Sequence, residues 1–195
     1  IDERVAVRLR SRPEVKTVSR ILMAFPAVGD LPFFFIFGLD PKEPYIQHYR
    51  VREGRLPQRS GEIALGRFGA ENLAKGVGDT LRLSGTGYTI VGIYENGATF
   101  EDAGGLLSLK DAQQLANKPR KVSLLAIQLE DPTRGAELAP LLEKAYPDLA
   151  ITRAEGFLER TQDIQTTRLI FNAIIAVTVL VGGVVMTNAM LMSVF

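Results

Sequence analysis

Residues 169–195, LIFNAIIAVTVLVGGVVMTNAMLMSVF, contain no charged side chain. As an α-helix rising 1.5 Å per residue, about 27 residues reach roughly 40 Å, more than the ~30 Å hydrocarbon core of a bilayer. A buried helix of a soluble protein rarely sustains that length without a polar face. The stretch is therefore expected to be one transmembrane helix, with membrane lipid as a neighbour. On a helical wheel Asn172, Ala176, Gly183, Thr187 and Met190 fall within one narrow sector, while Ile175, Leu180, Val184 and Leu191 lie elsewhere. Small residues let membrane helices approach closely, so this sector is expected to pack on other helices. Gly and Ala are also simply frequent in membrane helices.

Ahead of the span, 156–168 forms an amphipathic stalk helix expected to continue into it. No Gly or Pro follows Gly156 before the span, and Phe157, Ile164 and Phe171 recur at seven-residue spacing. That spacing aligns one apolar stripe across the water interface. The pattern suits a helix that transmits motion and equally a plain tether.

Residues 1–168 are expected to fold outside the membrane as a two-lobed α+β domain. One lobe, 1–39 with 119–155, is a split β-α-β layer; the other, 40–118, is a β-rich insertion. Ile1, Val5 and Leu9 share a helical face that Pro13 stops. Strands are expected over 15–25 and 32–38. The second is continuously apolar (Phe33-Phe34-Phe35-Ile36-Phe37), which suits burial on both faces, with a lipid-touching patch as the alternative. A hairpin follows: strand 80–83, the turn Ser84-Gly85-Thr86-Gly87, and strand 88–94. The last third predicts a strand over 122–129, then a helix with Leu138, Leu141, Leu142 and Ala145 on one face and Pro140 in its first turn or at a kink. A strand over 149–152 ends the domain.

Several kinds of chemistry are excluded. Lys and Arg number 23 against 22 Asp and Glu, without the basic face that nucleic acid requires. With no Cys and a single His, His48, no thiolate cluster, disulfide or histidine-based zinc site can be assembled, so no metal or cofactor is expected. No Gly-x-x-x-x-Gly-Lys-Ser/Thr loop is present to cradle ATP phosphates. Gly85-Thr86-Gly87 is a turn rather than a dinucleotide loop, because Ile90 stands where the third Gly would be. No Gly-x-Ser-x-Gly elbow occurs, and any Ser-His-Asp triad would have to be built on His48. Glu101-Asp102 and Glu130-Asp131 are expected to be solvated turn residues. The chain is thus expected to be no enzyme and to have no catalytic residues. It opens on Ile1-Asp2-Glu3-Arg4 without a signal-peptide pattern, so it is expected to be an internal fragment whose targeting segment lies upstream.

Two stretches carry a resemblance. Glu53-Gly54-Arg55-Leu56-Pro57 is followed by Gly61-Glu62-Ile63-Ala64-Leu65-Gly66, Asn72-Leu73-Ala74, Val77-Gly78-Asp79-Thr80-Leu81-Arg82-Leu83 and Tyr88-Thr89-Ile90-Val91-Gly92-Ile93. This order resembles the extracytoplasmic core domain of MacB/FtsX-type ABC-transporter permeases. Asn188-Ala189-Met190-Leu191-Met192-Ser193-Val194-Phe195 is similar to the end of the second membrane helix of that family. The resemblance implies a first membrane helix before Ile1, two more after Phe195, a cytoplasmic ABC ATPase partner, and a dimer with a second permease copy or homologue. It places residues 1–168 on the outer side of the bacterial cytoplasmic (inner) membrane. Family members export peptides, antibiotics or toxins, extract lipoproteins, or switch on cell-wall hydrolases, with a periplasmic adaptor or hydrolase as a further partner. The mechanism it implies is mechanotransmission, in which ATP-driven closure inside rearranges the domains outside. An outer apolar groove would favour a hydrophobic or peptide-like cargo; a flat exposed patch would favour recruitment of a soluble enzyme.

Overall fold

The computed structural model describes residues 1–29 and 34–152. They fall into two compact units, divided after Arg134. The first runs α1 (Arg4–Arg10), β1 (Val15–Ala24), β2 (Ile36–Leu39), a 3₁₀ turn (Pro44–His48), β3 (Arg50–Gly54), β4 (Glu62–Gly66), α2 (Arg67–Leu73), β5 (Thr80–Leu83), β6 (Thr86–Glu95), α3 (Thr99–Asp102), β7 (Gly105–Ser108), α4 (Leu109–Leu115) and β8 (Leu124–Leu129). It closes on a short 3₁₀ turn, Pro132–Arg134.

Eight strands form one mixed sheet in the order β3-β6-β4-β7-β2-β1-β8, with β5 also paired to β6. β2 lies parallel to β7, Ile36 opposite Gly105 and Leu39 opposite Ser108, and β4 lies parallel to β6. The remaining pairs are antiparallel. Strands from 40–118 lie together on one side of the sheet and those from 1–39 and 119–152 on the other, joined through β2 and β7. The sheet is thus continuous across the junction expected between two lobes. A change in turn frequency along the sequence cannot reveal this, because Gly105-Leu106-Leu107 in β7 is buried on both faces.

Alternation sorts the core. Leu22, Ile63, Leu65, Ile90 and Leu107 point to one face, where Leu109 and Ala112 of α4 meet them. Their sequence neighbours Ile21, Ala64 and Leu106 point to the other, with Phe37, Leu39, Tyr49 and Tyr94. Each fully buried aliphatic side chain contributes about 1.5–3 kcal/mol. On the first face α4 approaches so closely that a β-carbon at Gly38 would stand 2.2 Å from that of Ala112. Ile1 packs against this core, and Val5 and Leu9 of α1 are buried. α1 stops at Arg10, before Pro13 is reached.

Some elements are shorter than the sequence predicts. β2 spans four residues, all buried, because the chain ahead of it is committed elsewhere: Phe34 N–H donates to Pro26 C=O at 2.7 Å. In the β5–β6 hairpin Leu83 faces Thr86, leaving only Ser84 and Gly85 as the turn. Both have positive φ, 47° and 86°. This is the primed geometry that matches strand twist, so β6 begins at Thr86 rather than Tyr88.

In the second unit α5 covers Gly135–Ala145 with Pro140 inside it. Leu138 and Leu142 are buried, whereas Leu141 and Ala145 are exposed. The strand expected over 149–152 does not form. The chain turns after Pro147, and Leu149 N–H donates to Tyr146 C=O at 3.0 Å. No helix among the described residues is long and apolar enough to cross a membrane. The expected stalk over 156–168 and span over 169–195 lie outside the described residues.

Candidate functional site

Charged side chains beside β1 pair with one another across more than twenty residues of sequence. Glu43 is 7% exposed. It accepts from the Arg20 backbone N–H at 2.6 Å, from Arg20 Nε at 2.8 Å and from Arg10 Nη2. Arg20 also reaches Asp40 at 2.8 Å and Glu3 at 3.6 Å. Opposite charges meet here in a partly dry setting, so the guanidinium of Arg20 is held firmly protonated despite the burial that opposes it.

A second tie explains the Gly54-Arg55 motif. Gly54 has φ +68°, and a β-carbon there would stand 2.2 Å from Val91 O. Only glycine lets β3 turn so close to β6. Arg55 N–H then donates to Val91 C=O at 2.9 Å, and its guanidinium grips Glu62, with Nη1 at 2.7 Å from Oε2. Glu62 also accepts from the backbones of Gln58 and Arg59 at 2.9 and 3.2 Å. These bonds, Arg55 first, hold the Glu62 carboxyl down at about 2.

Two further acids are buried. Asp102, 2% exposed, accepts from the backbone N–H groups of Asn96 at 2.6 Å and Gly97 at 3.1 Å. Asp111 accepts from Gly61 N–H at 3.0 Å and from the Ser60 hydroxyl, while its own N–H is capped by Ser108 Oγ at 3.1 Å. The reading of Glu101-Asp102 as solvated turn residues therefore fails at Asp102, which ends α3 and ties down the turn after β6. Glu130 and Asp131 are exposed, as expected. These acids spend their oxygens on backbone donors, and among the described residues no cluster of His, Cys, Asp or Glu could hold a metal ion. His48 is exposed on the 3₁₀ turn, its ring stacked on Tyr45 at 5.8 Å.

The remaining feature is apolar. On the face of Ile21, Phe37 and Leu106, Tyr45, Ile46 and Leu56 pack against the sheet, and among the described residues apolar side chains are exposed just beyond β1 and at the start of β8. Phe25 is 54% exposed and meets Phe35 edge-on at 5.2 Å; Phe100 is 46% exposed and lies 6.2 Å from Phe37. Leu124 is 47% exposed and pairs with Ile21, which places it on the same face. Met23 and Ala126 lie between them, half-buried. An open stretch of aromatic and aliphatic surface can do no acid–base chemistry, but it can hold another apolar surface out of water. Beneath it burial raises the tyrosines, Tyr49 and Tyr94 most, so their hydroxyls stay protonated; Tyr94 donates to Glu101 C=O at 2.7 Å.

Of the residues singled out from sequence, Phe157, Ile164, Phe171, Asn172, Ala176, Gly183 and Thr187 lie outside the described residues. The motifs between Glu53 and Ile93 come together as β3, β4, α2, β5 and β6. Phe25, Phe100, Glu43 and Asp102 carried no local signal beyond their residue type.

Residues 1–145 match the model of the MacB-like periplasmic core domain. The fold is similar to the crystal structure of the periplasmic region of MacB from Actinobacillus actinomycetemcomitans, with TM-score 0.64, 10% identity, and 83% of each chain covered. It is also similar to the extracellular domain of the noncanonic ABC-type transporter YknZ from Gram-positive bacteria, with TM-score 0.60, 13% identity, and 75% of this chain and 84% of that chain covered. No curated protein matches in sequence.

Proposed function

The chain belongs to the family of MacB-like periplasmic core domains of ABC-transporter permeases, and on that premise we propose that it couples ATP hydrolysis elsewhere to movement of a domain outside the membrane. The family is a transporter permease component and not itself an enzyme. In this reading residues 1–168 stand outside the bacterial cytoplasmic membrane and 169–195 cross it. A cytoplasmic ABC ATPase supplies the energy. Phe157, Ile164 and Phe171 carry motion along the stalk. Asn172, Ala176, Gly183 and Thr187 pack against neighbouring membrane helices, including those of a second permease copy or homologue. The cargo is hydrophobic or peptide-like.

The observation that supports such a cargo is the open apolar face around Phe25, Phe100 and Leu124. Water-exposed aromatic surface of this kind is costly unless something apolar visits it. The same face is a sheet surface and not an enclosed groove, which supports a second reading: a scaffold that recruits and activates a periplasmic or cell-wall enzyme.

The test is reconstitution of the permease in liposomes with the ATPase that co-purifies from membranes, reading ATP hydrolysis beside cargo movement or enzyme activation. Ile164→Pro removes a backbone hydrogen bond and costs about 3 kcal/mol in a helix interior, so hydrolysis should persist while output is lost. Gln162→Ala serves as control. Full output from a correctly assembled Ile164→Pro permease would reduce the stalk to a tether. Phe25→Ser combined with Phe100→Ser should abolish cargo movement; loss of enzyme activation in a system that moves no cargo would establish the second reading instead.

A further inference from the structure

The turn after β6 contains Asn96-Gly97, and no other asparagine of the chain precedes a glycine. Such a pair is chemically reactive. With no side chain to shield it, the glycine nitrogen can attack the asparagine amide carbon and close a five-membered ring. Gly97 is exposed, has φ +85°, and has nothing within 4 Å of where a β-carbon would stand.

Hydrogen bonds hold the reacting groups apart. Gly97 N–H donates to Asp102 Oδ2 at 3.1 Å and Asn96 N–H to Oδ1 at 2.6 Å, and Asp102 is 2% exposed. The side-chain amide of Asn96 instead donates through Nδ2 to Glu101 Oε2. The nitrogen and the amide that must meet are thus each held by a different acid. Both acids lie on α3, Thr99–Asp102, a helix of four residues. A single turn does not sustain itself and opens locally, which frees both groups at once.

We propose that Asn96-Gly97 is a site of spontaneous covalent modification gated by Asp102. When α3 opens, the Gly97 nitrogen loses its proton to solvent and bonds to Asn96 Cγ. The Cγ–Nδ2 bond breaks, and the side-chain nitrogen takes up a proton and leaves as ammonia. Water then opens the succinimide. Attack at Cγ gives aspartate, and attack at the backbone carbonyl carbon of residue 96 gives isoaspartate. The sum is amide and water to acid and ammonia, with no change of oxidation state. Either product puts a new carboxyl group beside Glu101 and Asp102 in place of a donor, and like charges there oppose one another. Isoaspartate also adds a carbon to the main chain between β6 and α3. Since α3 carries Phe100, 46% exposed and 6.2 Å from Phe37, the modification loosens one end of the apolar face. The assignment does not depend on the transport reading.

The purified full chain is incubated at mildly alkaline pH, with and without urea. Modification is read as the mass gain of the tryptic peptide 83–110 and as methyl acceptance from an isoaspartyl methyltransferase. Folded wild type should react slowly and the urea-unfolded chain fast. In buffer Asp102→Ala should react roughly tenfold faster than wild type, because two N–H groups lose a buried acceptor. Asp102→Asn keeps one acceptor oxygen and should be intermediate; it decides the matter should Asp102→Ala fail to fold. Asp111→Ala removes a different buried acid and its bond from Gly61 N–H, and should stay near the wild-type rate. Gly97→Ala should suppress the reaction even in urea. The chain has no tryptophan, so the emission of Phe100→Trp should move to longer wavelength as modification proceeds. Equal rates in buffer and urea, equal rates for Asp111→Ala and Asp102→Ala, or an undiminished mass gain in Gly97→Ala would each overturn the proposal. A fixed emission would overturn the effect on α3.

Discussion

The backbone of Asp102 passes so close to Gly66 that a β-carbon at 66 would stand 2.3 Å from the Asp102 carbonyl oxygen. The obstacle is main chain, which cannot rotate aside as a side chain would. The end of β4 and the end of α3 are therefore fitted to each other through the absence of a single methyl group.

Gly66→Ala is accordingly expected to destabilise the domain by about 1–3 kcal/mol, the range typical of overpacking. The backbone at Gly66, φ −68° and ψ 154°, suits alanine, so the cost is packing and not conformation. Gly76→Ala, with nothing within 4 Å of the new carbon, should leave the denaturant midpoint almost unchanged. Equal midpoints for the two variants would refute the close contact.

Asp102→Ala should cost about 1–3 kcal/mol, because the N–H groups of Asn96 and Gly97 lose their acceptor in a buried site. Asp102→Asn keeps one oxygen but turns an amide towards one of the donors, and should fall between. Chemical denaturation of the three proteins side by side checks the order.

Glu62 gives the acid limb of stability a specific source. Its folded carboxyl lies at about 2 against an ordinary 4.5. A depressed acid stabilises the fold above its unfolded value and loses that contribution as pH falls through the folded one. Stability should therefore decline between about pH 4.5 and 2, and Glu62→Gln should flatten the decline in that window when thermal midpoints are followed against pH. An unchanged slope would mean that the Arg55 contact does not persist in solution.

Phe25→Ser, Phe100→Ser and Leu124→Ser each alter a half-exposed side chain, so each should change stability by less than about 1 kcal/mol. Fluorescence of a hydrophobic dye should nevertheless fall with each, and most in the triple variant. A large loss of stability would show these residues to be core.

Local pattern made much of the first unit legible. β1 and the β5–β6 hairpin stood out because alternation and turn residues act over a few positions, and within the apolar run 33–37 the residues Ile36 and Phe37 are buried on opposite faces, while Phe35 is only half-buried. What remained hidden depends on distant partners. Ile36 pairs with Gly105, and no feature of either segment names the other, so the sequence alone predicts two lobes. Asp102 looked like any acid in a turn, since its burial is made by the backbones of Asn96 and Gly97 folding over it. The exposed apolar face was equally unreadable: Phe25 and Leu124 have the same side chains as core residues, and only their exposure in the folded structure distinguishes them.

The parallel ladder between β2 and β7 also sets a problem of timing. Ile36 and Gly105 are about 70 residues apart, so β2 leaves the ribosome long before its second neighbour exists. During that interval a fully apolar strand has one unpaired edge, while the hairpin of β5 and β6 can already close on its own. The nascent chain should thus hold an early-folded outer half and a waiting inner strand, and the period before β7 arrives is when chaperone capture would matter most.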